Sequence, residues 1–181
     1  MSNPTTDLAA RFEAKREAEN SAWSFGRLGS YLARVAASRP PDVIIGGEAD
    51  PYMRRWWVIP RNRWFNVYLH HFMRSDDDRA LHDHPWWNVS FLLQGQYAEH
   101  TISAGGINVF TTRKAGEVKA RWATHAHRIE LTHGPCWTLF ITGPRLRTWG
   151  FHCPRGWVPW KEFTNPADGG QTVGRGCGEQ S

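Results

Sequence analysis

His82-Asp83-His84-Pro85-Trp86-Trp87-Asn88-Val89-Ser90-Phe91-Leu92-Leu93-Gln94-Gly95 opens with two histidines one residue apart and runs through an apolar stretch to a glycine. Side chains on an extended segment alternate between faces, so His82 and His84 point the same way and Asp83 points away. Such a pair can hold one metal ion from one side. A third imidazole from a distant segment would complete a facial set and leave coordination positions open. His125-Ala126-His127 supplies it some forty residues later.

Outward from this segment the texture is that of strands. From Val43 onward, short runs rich in Trp, Val, Ile, Phe and Thr recur between turn residues, which predicts an all-β sandwich or barrel. Expected strands cover residues 54–59, 64–72, 86–93, 96–103, 107–111, 117–122, 127–132, 136–142 and 149–152. Gln94-Gly95 and Gly105-Gly106 read as tight connections. Before Val43 the pattern is helical. A polar helix is expected over residues 6–20, and a second from Phe25 to Ser38, with Leu28, Tyr31, Leu32 and Val35 at helical spacing. Arg39-Pro40-Pro41 ends it. The reading is therefore a helical arm over residues 1–42, a barrel over 43–164, and a polar, glycine-rich tail over 165–181 with too little apolar surface to order itself.

Composition excludes several classes. The 181 residues suit one domain, and eleven tryptophans and nine phenylalanines suffice for a core. No run is long and apolar enough for a membrane helix, and the start of the chain lacks the basic and apolar regions of a signal peptide. Cys136, Cys153 and Cys177 are odd in number and form no C-x-x-C, so neither a disulfide framework nor a zinc ribbon is expected, and a cytoplasmic setting is. The net charge of +5 comes from 22 basic residues, of which 18 are arginine. Arginine's planar fork suits carboxylate and phosphate, so Arg54, Arg55, Arg128 and Arg145 are candidates for contact with an anionic small molecule. No dense basic stripe or DNA-reading motif is present, and nucleic-acid binding is not expected.

The segment HDHPWWNVSFLLQG resembles the first motif of the cupin superfamily, which carries His-x-His, a downstream Glu and a Gly. His82, His84 and Gly95 match, and Asn88 stands in the place of the Glu. GEVKARWATHAHRIEL is similar to the second cupin motif. There His127, directly before a strand, is the better match for the facing histidine and His125 the alternative; the usual Pro-x-Gly is missing. The resemblance covers roughly residues 64–142 and implies a cupin-type antiparallel β-barrel, a jelly roll, behind the helical arm. It also implies a divalent metal held by His82, His84 and His127. Iron(II) is the first choice, because three-histidine sites resemble those of thiol dioxygenases; zinc, nickel and manganese are the others. On this reading Asn88 and Tyr68 would hydrogen-bond to substrate or oxygen, with Gln94 and His152 also near. The activity implied is that of a mononuclear non-haem iron dioxygenase on a small molecule. A non-redox isomerase or lyase, and a non-catalytic ligand-binding barrel, are the alternatives. A homodimer through an edge strand is left open. The run Asp76-Asp77-Asp78 reads as a solvated loop.

Overall fold

The computed structural model describes residues 23–76, 80–168 and 170–178. The expected helix over residues 6–20 lies outside them. Twelve strands build two six-stranded antiparallel sheets. The first sheet has the order β1 (Val43–Ile45), β2 (Met53–Trp57), β3 (Asn66–Phe72), β10 (Cys136–Thr142), β5 (Asn88–Gln94), β8 (Val118–Arg121). The second runs β12 (Gly156–Pro159), β11 (Gly150–Cys153), β4 (Leu81–His82), β9 (His127–Glu130), β6 (Gln96–Ile102), β7 (Asn108–Lys114). The non-consecutive neighbours at the middle of each sheet (β3-β10-β5-β8 and β11-β4-β9-β6) give the crossed connections of a jelly roll, as the resemblance implied.

The first sheet is covered on both faces, which explains its nearly continuous apolar runs. Helix α1 (Gly26–Ser38) lies on its outer face, where Leu32, Trp56, Leu69, Leu93 and Leu139 form one core cluster with Trp23 and Trp137 packed against it. The alternate residues face the other sheet. Met53, Phe72, Leu92, Tyr97, Ile129 and Cys136 make a second cluster there, closing one end of the barrel. Gly95 joins β5 to β6 at a φ of +82°, and a Cβ there would stand 2.9 Å from that of Cys136. Only glycine satisfies both demands. No helix among the described residues is long and apolar enough to cross a membrane.

Strands β1, β4 and β12 were not anticipated; each is four residues or shorter, too brief to show a period. A larger correction concerns the end of the chain. After β12 a short helix α2 (Trp160–Phe163) leads into a 3₁₀ turn at Pro166–Asp168, and the described residues through 178 fold back on it. Thr164 bridges Val173, and the amides of Gly174 and Gly176 donate to the carbonyl of Phe163 at 2.9 and 3.0 Å. A disulfide joins Cys177 to Cys153 on β11, correcting the expectation that no cysteines pair. Composition rightly indicated that this segment has no core of its own; the covalent link and turn hydrogen bonds take its place.

Candidate metal centre and cavity

The topology makes neighbours of residues far apart in sequence. Strand β4 pairs with β9 through the register His82↔His127. His84 leaves the strand, its amide donating to the carbonyl of Ala123 at 3.0 Å. The three rings form a nearly equilateral triangle with centroids 5.2 Å (82–84), 5.0 Å (82–127) and 5.1 Å (84–127) apart. Ligand atoms of all three lie within 4.8 Å of one another. His125 sits in the preceding turn, its ring 6.5 Å from that of His127, and is not part of the group.

The Nε2 atoms of His84 and His127 are 2.9 Å apart. Two imidazoles bonded to one ion at about 2.1 Å stand about 3.0 Å apart at a right angle and about 3.4 Å apart at a tetrahedral one. The spacing of this pair is short enough for both rings to reach one ion. Burial favours the uncharged imidazole, the form that ligates. It depresses His84 well below the usual histidine range, helped by His127, His82 and two arginines. It brings His127 down to about 4 against the opposing pull of Glu99, and it lowers His82 against the pull of Asp76 and Asp83. The donor set and its protonation fit a divalent transition metal.

Carboxylates stand behind two of the rings. His127 Nδ1 is 3.3 Å from Glu99 Oε1, and His82 Nδ1 is 3.8 Å from Asp76 Oδ2. Glu99, on β6, is 1% exposed and accepts from Arg121 Nε at 2.7 Å and Arg113 Nε at 2.9 Å. Burial alone would raise its pKa; the hydrogen bond to His127 and the Arg121 guanidinium overcome that and hold it far below the usual carboxylate range. Asp76 accepts the amide of Ile129 at 2.7 Å and the Tyr52 hydroxyl. It is thus part of the wall rather than of a solvated loop. Asp77 and Asp78 lie outside the described residues. Asp83 faces away, as expected: it takes the amide of Gly150 at 2.9 Å, Trp157 Nε1 at 3.0 Å and Arg147 at 2.7 Å, tying β4 to β11.

The rings open into a cavity of about 380 Å³ walled by Phe72, Trp86, Phe140, Trp149 and Phe151. Arg55 is the polar exception that matters. It is half-buried, its Nε donates to His70 Nε2 at 2.9 Å, and its guanidinium lies 5.0 Å from the Tyr68 ring centre. Burial lowers its pKa, and it forms no ion pair with a carboxylate among the described residues. Burial also holds His70 well below the usual histidine range, so it meets Arg55 as a neutral acceptor.

Of the other expected residues, Tyr68 packs behind the wall, stacked on His70 at 5.8 Å, and does not line the cavity. Asn88 is fully buried at the inward-facing start of β5, its amide atoms without a hydrogen-bond partner; it lines a smaller cavity with Trp87, Arg121 and Trp122. His152 lies 3.4 Å from Asp83, outside the cavity. Arg145 is exposed, and Arg128 pairs with Glu130 at 3.3 Å. Sequence reading passed over Glu99, Asp76 and Arg121. The available signal was phase: Glu99 shares its face of β6 with the core residue Tyr97, where a lone carboxylate needs buried partners.

No family model matches the chain, and no curated protein does. Several solved structures are similar in fold. A conserved double-stranded β-helix protein of unknown role from Klebsiella pneumoniae has 18% identity over 62% of this chain and 88% of its own, with a TM-score of 0.45. The DMSP lyase DddQ of Ruegeria pomeroyi has 16% identity over 71% and 66%, with a TM-score of 0.49. The oxalate decarboxylase of Lactobacillus farciminis has 16% over 54% and 30%, with a TM-score of 0.43. At these levels the likeness concerns the arrangement of strands.

Proposed function

We propose that this chain is a metal-dependent cupin enzyme acting on a small anionic molecule, and specifically a mononuclear iron(II) dioxygenase. The observation that carries the reading is the convergence of three neutral imidazoles on a cavity lined by Arg55, a cation with no carboxylate partner among the described residues. Bound iron would supply a positively charged centre with free coordination positions for substrate and dioxygen. His82, His84 and His127 would hold it, and the neutral Asn88 leaves its charge undiminished. Arg55 would take the substrate's carboxylate or comparable anionic group, which would stand in for the partner it lacks. Tyr68 acts from behind, presenting its ring face to the guanidinium. The aromatic walls exclude water and favour a compact apolar body on the substrate. Asn88, which lines the smaller cavity, is not a ligand on this reading.

A second reading, a non-redox lyase or isomerase, is favoured by one feature. The Tyr52 hydroxyl is hydrogen-bonded to Asp76 on the cavity wall, an arrangement able to take a proton from a substrate.

Protein purified without an affinity tag and loaded separately with iron(II) and with zinc separates the two. Oxygen uptake with small thiols and carboxylates by the iron form alone supports the dioxygenase. Turnover without oxygen by both forms, abolished in Tyr52→Phe, would replace it with the lyase. An inability to bind either metal above one equivalent per ten chains would leave a ligand-binding barrel.

A further inference from the structure

The C-terminal segment forms a wall of the cavity. Thr164, Gly170, Gln171, Thr172 and Val173 line it together with the three histidines. Gln171, Thr172 and Val173 are themselves exposed, so this wall has little packed over it. The segment holds its own shape through Asp168, which accepts the amides of Gly170 at 3.0 Å and Gln171 at 2.8 Å, and through the Asn165 amide donating to Thr172 at 2.9 Å. Those bonds are internal. They fix a turn without fixing where the turn sits on the barrel.

What attaches it is sparse. From residue 165 to 178 the apolar side chains are Pro166, Ala167 and Val173, besides Cys177. Hydrophobic burial scales with apolar area, so these offer little hold. The Cys153–Cys177 bond, spanning 24 residues, is the far anchor, and it joins the segment to β11, the strand next to His82. Without it the chain beyond Phe163 is a polar, glycine-rich end held by the Gly174 and Gly176 amides on the Phe163 carbonyl and the bridge from Thr164 to Val173.

We infer that residues 164–178 are a strap across the mouth of the metal cavity, latched by the Cys153–Cys177 disulfide, and that reduction of this bond opens the cavity. The latch is released by a dithiol. The S–S bond takes two electrons and two protons and becomes two cysteine thiols, while the dithiol closes to its own disulfide. By loop entropy, freeing the strap residues between 164 and Cys177, about 14, raises the detached population on the order of a hundredfold, because β11, β12 and α2 hold the rest of the 24-residue span in either state. A reducing compartment would keep the site open and an oxidising one would restrict it to small ligands. The gate presupposes that the cavity is a working site, whereas the movement of the strap does not.

The test uses the full chain in three forms: oxidised wild type, wild type reduced with dithiothreitol and alkylated with iodoacetamide, and Cys177→Ser. One arm loads each with cobalt(II) and follows its extraction by EDTA. A second arm, in metal-free protein, follows carbethoxylation of His82, His84 and His127 by mass spectrometry. The strap predicts both rates at least tenfold higher in the reduced protein and in Cys177→Ser, with Cys177→Ser insensitive to dithiothreitol and the melting temperatures within a few degrees. Equal labelling rates in all three forms, or absence of the 153–177 cross-linked peptide after air oxidation, would overturn it. If the protein takes up no cobalt, the proposed function fails while the labelling arm still decides the strap. Should Cys177→Ser not fold, the alkylated wild type carries the comparison alone.

Discussion

Replacing Glu99 by Gln tests how the centre is held. The change keeps shape and removes one charge from a carboxylate that is 1% exposed and touches Arg121, Arg113 and His127. Arg121 is equally buried, so it is left as a cation with a neutral partner. Breaking one side of a buried pair costs about 3–5 kcal/mol, and that is the expected loss of unfolding free energy in urea. The effect on metal is separate. Glu99 Oε1 stands 3.3 Å from His127 Nδ1, where it would favour hydrogen on Nδ1 and leave Nε2 for the metal, and losing such an outer partner weakens metal affinity about 10- to 100-fold. A competition titration with a chromogenic chelator measures this directly. The double variant Glu99→Gln/Arg121→Met divides the two effects. Removing both charges should recover much of the stability, since a buried pair is worth little against apolar residues of similar volume, but should recover none of the zinc affinity. Stability and affinity both unchanged in Glu99→Gln, or affinity restored in the double variant, would refute the assignment of Glu99 as the residue that orients His127.

The other predictions concern the ligands, the anion site and acid. His84→Ala should lose most bound metal, whereas Asn88→Ala should keep it, as read by elemental analysis after reconstitution; loss in both would make Asn88 a ligand. Arg55→Met should leave the melting temperature nearly unchanged or raised, because it removes a half-buried cation that has no carboxylate partner among the described residues, yet should weaken binding of a carboxylate substrate about 10- to 100-fold; equal KM values in variant and wild type would place the anion elsewhere. The metal-free protein should lose stability as pH falls from 6.5 toward 4. His127 drops to about 4 on folding, and burial lowers His70, His82 and His84 as well, so in this window the unfolded chain binds more protons. Urea midpoints should be full above pH 6.5 and decline below it, His127 alone contributing on the order of 3 kcal/mol; a flat profile from pH 7 to 4.5 would show these imidazoles are not held neutral.

The sequence by itself determined the barrel, the helix Gly26–Ser38, and three histidines as one group. Each rests on a short-range pattern: short apolar runs between turn residues for β3, β5 and β10, helical spacing in α1, and two histidines one residue apart. The choice between His125 and His127 required the register, because the two stand one residue apart where β9 begins and only His127, its first residue, sits opposite His82. The partners of the centre required the tertiary structure too. Glu99, Arg113 and Arg121 come from three strands, β6, β7 and β8, and Asp76 from a loop, so no spacing links them. Arg55 was one of four arginine candidates of equal standing until β2 turned it inward. The end of the chain shows the limit most plainly. Its composition measures apolar area, and that area is too small to order it, but an attachment made by one covalent bond and a few amides leaves no periodic trace. Only the approach of Cys177 to Cys153 in three dimensions converts a polar tail into a wall of the site.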